Sequence, residues 1–87
     1  MPIERLIAAD ALERIRSASE KGARILGVDG LQVVPEGFIA ALDLVLDLSI
    51  RSMSIEAAAT AAEQFITSRA ADDVVFEVVM EGVPNDS

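Results

Sequence analysis

The chain has no cysteine, histidine, tyrosine or tryptophan, and its only aromatic residues are three phenylalanines. Without cysteine it forms neither disulfides nor thiolate metal sites, and it does not depend on an oxidising compartment. The side chains that most often act as general bases or nucleophiles are largely missing. We therefore expect a protein that is not an enzyme and that uses no cofactor and no metal.

Long apolar runs are also missing, since no uncharged stretch exceeds six residues, whereas about 20 apolar residues are needed to cross a bilayer. The N-terminal sequence MPIERLIAADALERI mixes charges into its apolar residues. It lacks the basic start and the continuous apolar stretch of a signal peptide. We expect a cytoplasmic protein without a membrane-spanning segment.

Basic residues are scarce, with seven against fifteen acidic ones and a net charge of −8. Residues 1–24 hold five basic and four acidic residues, whereas residues 25–87 hold two arginines and eleven carboxylates. A surface of this kind repels polyanions, so nucleic acid and anionic membranes are disfavoured as partners. A basic protein partner is electrostatically compatible with it.

What is present is a short, aliphatic chain. Its 87 residues are 52% apolar, and fourteen of them are alanine. This length corresponds to one domain, near the lower end of the sizes at which a single core is stable unaided. Self-association is therefore one way in which such a domain gains stability.

Two segments carry helical periodicity with matching end signals. Residues 1–22 form an amphipathic pattern in which apolar residues recur every four positions, and Gly22 supplies a left-handed cap. A second pattern runs over residues 55–70, with Ser54 as its N-cap. We expect a helix at each place.

Strands are predicted at both sides of the Asp29–Gly30 pair and near the C-terminus. Within residues 23–34, Asp-Gly between two β-branched runs is a strong hairpin signal, which predicts strands 24–28 and 31–34. Gly27 indicates a bulge or the close approach of another backbone. Residues 73–82 alternate as a strand with one wholly apolar face, and residues 83–87 form a polar tail.

Residues 35–52 are predicted to form a further helix that is apolar on most of its surface. Its polar residues fall on one narrow seam, whereas the apolar residues cover about 260° of the helical wheel. A surface helix of a small monomer needs an apolar arc of only about 100°, and wide exposed apolar surfaces usually mark interfaces. The predicted oligomer interface, most simply that of a homodimer, consists of Phe38, Ile39, Leu42, Leu46 and Ile50.

The resulting element order is α-β-β-α-α-β in a single α+β domain of residues 1–87. The simplest assembly is a three-stranded antiparallel sheet, made of the hairpin and the C-terminal strand, with three helices packed on it. The alternative is a mainly helical protein whose short strands pair only across a dimer.

Few residues suggest a chemical site. The carboxylates Glu36, Asp43 and Asp47 share the polar seam, but they lack the loop ligands that calcium or magnesium require, so a solvated acidic stripe is favoured. Gly27 and Gly30 precede a strand rather than a helix, which argues against a phosphate loop. A second acidic group is a candidate edge for a basic partner and comprises Asp72, Asp73, Glu77 and Glu81.

Two functional hypotheses follow from these patterns. The favoured one is a small acidic interaction module of adaptor, immunity or inhibitor type, which self-associates through aliphatic helix faces and docks a protein partner. The alternative is a small-molecule-binding protein with an apolar cavity between sheet and helices or at a subunit junction. In that case Arg51 or Arg69 would anchor an acidic ligand.

Overall fold

The computed structural model describes residues 5–48 and 52–81, without the side chains of Ala41 and Leu42. The strands form an antiparallel sheet in the order β2-β1-β3. At the outer edge of β3, Leu6 adds a one-residue bridge that acts as a short fourth strand. The predicted α+β class is confirmed, with the elements α1 (Ala8–Glu20), β1 (Arg24–Val34), β2 (Gly37–Asp47), α2 (Ile55–Arg69) and β3 (Val74–Glu81).

Helix α1 begins later than the helix predicted for residues 1–22. Residues 1–4 lie outside the described part of the chain, and residues 5–7 are not helical. Leu6 instead exchanges two backbone hydrogen bonds with Phe76, of 2.8 and 2.7 Å. The edge of β3 thus gains a partner for backbone groups that a helix beginning at residue 2 would have left unpaired.

The caps that the sequence marked are present in the structure. Gly22, with φ of 84°, follows α1. The Ala23 amide donates a 2.9 Å hydrogen bond to the Ala18 carbonyl. This bond belongs to the Schellman type of helix end. At the start of α2, the Ser54 hydroxyl accepts a 3.0 Å hydrogen bond from the Ala57 amide. Helix α2 therefore matches the predicted helix of residues 55–70 to within one residue.

The cap at Ser54 gives a first testable prediction. Replacing Ser54 with alanine should lower the free energy of unfolding by about 1 kcal/mol, because the Ala57 amide loses its acceptor. Urea denaturation at constant protein concentration measures this loss. Ser52→Ala is the matched control, since Ser52 is exposed in the segment before α2; an equal loss in both variants would show that the cap is not the cause.

Residues 37–47 form a strand, so the predicted helix of residues 35–52 is wrong and the described residues contain two helices, not three. In β2, Phe38 pairs with Val33 and Leu46 pairs with Val28. A strand divides its side chains between the two faces of a sheet. The apolar residues that would surround a helix over about 260° are therefore shared between two faces.

The β1–β2 hairpin turns at Pro35–Glu36, between the paired residues Val34 and Gly37, and not at Asp29–Gly30. Proline has its φ already fixed for the turn and has no N–H to offer a ladder, so it ends the pairing. Positive φ falls at Gly37, at 140°. The Asp-Gly pair lies within β1, and the two strands predicted on either side of it are one continuous strand.

Two glycines of β1 allow the neighbouring strand to come close. A β-carbon at Gly27 would lie 2.7 Å from the Leu46 carbonyl oxygen, and one at Gly30 would lie 2.8 Å from the β-carbon of Leu44. The register also shifts beside both glycines, in the β1–β3 pair at Gly27 and in the β1–β2 pair at Gly30. The bulge or close approach predicted for Gly27 is thus confirmed.

The core lies between the helices and one face of the sheet. Small alanine side chains on both helices let them pack closely on each other and on the sheet. Among the described residues, no helix is long and apolar enough to span a membrane. The buried hydrophobic residues are Ala11, Ile15, Ala18, Ala23, Ile25, Val28, Leu48, Ala58, Ala59, Ala62, Ile66, Val74 and Phe76.

Candidate interaction surface

The helices cover one face of the sheet, and the opposite face is uncovered by any described element. Val28 is fully buried on the helix side. Side chains alternate along a strand, so every second residue of β1 from Gly27 to Val33, including Asp29, lies on the opposite face. Cross-strand register then assigns their partners in β2 and β3 to the same side. We name this surface the open sheet face; it consists of Gly27, Asp29, Leu31, Val33, Phe38, Ala40, Val45, Asp47, Val75, Glu77 and Val79.

The open sheet face concentrates the exposed apolar residues. Six large hydrophobic side chains are exposed in the described part of the chain, and four of them lie on this face. Their exposed fractions are 40% for Val33, 49% for Phe38, 44% for Val45 and 37% for Val79. Leu31 and Val75, two further apolar residues of this face, lie opposite each other on β1 and β3. The face therefore exposes apolar side chains on all three strands, and the Asp29–Glu77 pair lies among them.

Charged groups also lie within the open sheet face. Glu77 lies directly opposite Asp29, and its carboxylate is 3.4 Å from the Arg5 guanidinium. The Arg5 guanidinium also lies 4.5 Å from the centroid of the Phe38 ring. A surface cavity of about 270 Å³ lies beside Val79 and Gly27, and Asp29 and Asp47 also line it.

The five residues of the predicted oligomer interface do not share one surface. Phe38 lies on the open sheet face, whereas Ile39 and Leu46 pair with residues of the helix side. Leu46 packs against the core, and Ile39 is 51% exposed. The Leu42 side chain and Ile50 lie outside the described residues. As a surface of one helix the prediction is wrong, because the segment is a strand; whether these residues form an interface stays a prediction.

The four predicted acidic residues are distributed over two regions. Asp72 and Asp73 lie in the turn before β3, where Asp73 accepts a 3.1 Å hydrogen bond from the Gln32 side chain. Glu77 lies on the open sheet face, and Glu81 forms an ion pair with Arg24. A strand rises about 3.4 Å per residue, so the eight residues of β3 extend about 24 Å from the turn that holds Asp72 and Asp73 to Glu81. A partner would need to span the whole strand to contact all of them.

The remaining carboxylates do not converge either. Glu36 lies in the hairpin turn, whereas Asp43 and Asp47 belong to β2. Within residues 5–48 and 52–81, no group of three or more acidic side chains is arranged to hold a metal ion. The seam predicted on a helix is thus divided between a turn and two parts of a strand.

The ligand-anchor prediction concerns Arg51, which lies outside the described residues, and Arg69 at the end of α2. The Arg69 Nε donates a 3.0 Å hydrogen bond to the Asp43 carbonyl, and its guanidinium lies 5.2 Å from the Phe65 ring centroid. A surface cavity of about 410 Å³ lies nearby, beside the first turn of α1, and is lined by Ile7, Ala8, Ala9, Ala70, Ala71, Asp72 and Val74. Arg69 does not line it, so a bound acid there would lack this anchor.

Comparison with known proteins gives no relative from which a role could be transferred. No protein-family model matches the chain, and neither a curated protein nor a solved structure matches it significantly.

Proposed function

We propose that this protein is a non-enzymatic interaction module that docks other protein chains, a second copy first among them, through its open sheet face. The observation that carries this proposal is that Val33, Phe38, Val45 and Val79, each more than one third exposed, lie on one face that no described helix or strand covers. The largest exposed apolar patch of a small protein is often a binding surface. A role of adaptor, immunity or inhibitor type is compatible with this size and charge.

Contact between two copies would place one open sheet face on the other, as in a β-sandwich. A two-fold axis makes such a contact closed, because each copy offers the same surface to its partner. Pairing through the edge of β2 that no described strand covers is less favourable. Four β2 residues, 41–44, lie between the partners of Asp29 and Leu31 where β1 has one, and such irregularities interrupt an edge.

The dimensions of the face set the expected affinity. Three strands about 4.8 Å apart and about eight residues long give a surface of roughly 14 Å by 27 Å. Two such faces cover roughly 760 Å² together, less than the roughly 1,200 Å² of stable specific interfaces, so the association is weak and transient. We therefore expect a dimer with a dissociation constant in the micromolar range.

Phe38→Asp tests the proposed contact. A buried carboxylate opposite an apolar surface is unfavourable, so this change should raise the dimer dissociation constant by roughly 30-fold, the effect of a residue worth about 2 kcal/mol. Sedimentation equilibrium over a range of concentrations measures the constant.

Ile39→Asp is the matched control for this experiment. Ile39 is the next residue of the same strand, has a similar exposure of 51%, and points to the other side of the sheet. The dimer dissociation constant of Ile39→Asp should stay close to that of the unmodified protein. Self-association through the open sheet face would be refuted if both variants weakened the dimer equally. It would also be refuted if the unmodified protein were a monomer at all concentrations.

A cytoplasmic location is part of the proposal. It is supported by the complete lack of cysteine, because no part of the fold then depends on an oxidising compartment. The second partner that we propose is a basic protein, for which the net charge of −8 provides long-range attraction.

A further inference from the structure

The side chain of Arg5 extends across the open sheet face. Arg5 precedes Leu6, which bridges to Phe76 at the outer edge of β3. Its guanidinium lies 3.4 Å from the Glu77 carboxylate and 4.5 Å from the Phe38 ring centroid. Since Phe38 belongs to β2 at the opposite edge, the guanidinium joins a carboxylate and a ring from two non-adjacent strands. The face therefore already accommodates one arginine side chain.

This arrangement suits arginine more than lysine. A planar guanidinium stacks on an aromatic ring while its N–H groups donate to a carboxylate in its own plane, which an ammonium group cannot do. Glu77 is well enclosed, with a side-chain exposure of 18%. The Phe38 ring thus lies against the flat side of the guanidinium, and the Glu77 carboxylate lies at the edge that carries its N–H groups.

Arg5 is held only weakly in this position. Its side chain is 50% exposed, and the Phe38 ring that it covers is 49% exposed. Exposed ion pairs and exposed cation–π contacts contribute little, because water competes for both groups. An arginine from another chain could therefore take its place.

The surrounding charge also favours a cation at this position. Glu77 lies directly opposite Asp29, and like charges at opposed positions destabilise a sheet unless a cation lies near. The chain as a whole carries a charge of −8. Charge complementarity therefore favours a basic partner segment at this end of the face.

We propose that the open sheet face recognises a partner segment presenting an arginine between apolar side chains, and that Arg5 is the internal occupant which this arginine displaces. The partner's guanidinium takes the place between Phe38 and Glu77, and its apolar neighbours cover the exposed valines. This inference rests on the proposed function in one respect, namely that partners dock on the open sheet face.

Titration of short peptides into ¹⁵N-labelled protein tests the inference. The probes are acetyl-Val-Arg-Val-amide and acetyl-Val-Lys-Val-amide, added to the unmodified protein and to Arg5→Ala at concentrations where both proteins are monomeric. Removing the internal competitor should tighten binding of the arginine peptide by roughly threefold to tenfold. The lysine peptide should bind to Arg5→Ala more weakly than the arginine peptide does. The largest changes in amide chemical shift should occur at Phe38 and Glu77.

Two further variants separate recognition from general charge attraction. Glu77→Gln in the Arg5→Ala background should abolish the preference for the arginine peptide, whereas Glu56→Gln, on the exposed start of α2, should leave it unchanged. Arg5→Lys keeps a positive charge at residue 5 and should bind the arginine peptide with intermediate affinity.

The outcomes also distinguish this inference from the proposed function. Equal affinity of the unmodified protein and Arg5→Ala, or equal affinity for the two peptides, would overturn the role assigned to Arg5. If the Phe38-dependent dimer persisted in that case, only this inference would fail. If neither peptide binding nor a Phe38-dependent dimer were found, the open sheet face would lose its assigned role altogether.

Discussion

Replacing Phe76 with alanine is expected to lower the free energy of unfolding by about 4 kcal/mol. Phe76 is the largest fully buried side chain, with no exposed surface. It lies on the helix side of β3 opposite Gly30, so its loss leaves a cavity at the centre of the core. Stability is only about 5–15 kcal/mol for typical domains, and a large fraction of it would be lost.

Phe38→Ala is the natural comparison for this experiment, because Phe38 is 49% exposed. We expect it to cost less than about 1 kcal/mol when measured on the monomer. Urea denaturation must be carried out at one low protein concentration, because dimer formation raises the apparent stability. A loss at Phe38 as large as that at Phe76 would show that the faces of the sheet are assigned the wrong way round.

Replacing Gly27 with alanine is expected to destabilise the protein by about 3 kcal/mol. The added β-carbon would lie 2.7 Å from the Leu46 carbonyl oxygen. This oxygen is part of the backbone of β2 and does not move without disturbing the β1–β2 ladder. The expected result depends directly on residues 37–47 being a strand next to β1.

Gly22→Ala separates the effect of this contact from the general cost of replacing glycine. Gly22 has φ of 84° and no atom within 4 Å of its would-be β-carbon, so alanine there costs only backbone strain of about 1 kcal/mol. The same denaturation experiment gives both values. If Gly27→Ala were no more harmful than Gly22→Ala, the close approach of β2 to β1 would be contradicted.

The segment of residues 38–48 shows why part of the fold was mispredicted. Asp43 and Asp47 are four residues apart, which places them on one side of a helix and equally on one side of a strand. Leu44, Leu46 and Leu48 alternate with these carboxylates, which is typical of a strand. The helical interpretation required an apolar arc of about 260°, although the chain offers few other elements to cover it. This excess of apolar surface indicated that the side chains alternate with the two-residue period of a strand.

The turn of the hairpin was misplaced for a similar reason. Proline followed by Glu and Gly suits the first turn of a helix and also a tight turn between strands. Asp29–Gly30 was the stronger local signal, but Gly30 is needed where Leu44 of β2 comes close. Long-range packing therefore determined the use of this glycine, and no local pattern reveals it.

The elements with one clear period and clear end signals were predicted correctly. Helix α2 follows Ser54, helix α1 ends before Gly22, and β3 alternates as expected. The contact of Arg5 with Phe38 and Glu77 was beyond sequence reasoning. It joins residues from three distant segments, and it depends on the strand order β2-β1-β3 and on a residue that was predicted to be helical.

The most direct test of the open sheet face is an isotope-filtered NOE experiment on a mixed sample, in which labelled and unlabelled copies form dimers. The account predicts contacts between copies at Phe38, Val33, Val45 and Val79, and none at Ile39. Contacts that arise from the outer surfaces of α1 or α2 instead would contradict it. So would the lack of any contact between copies at concentrations well above the micromolar range.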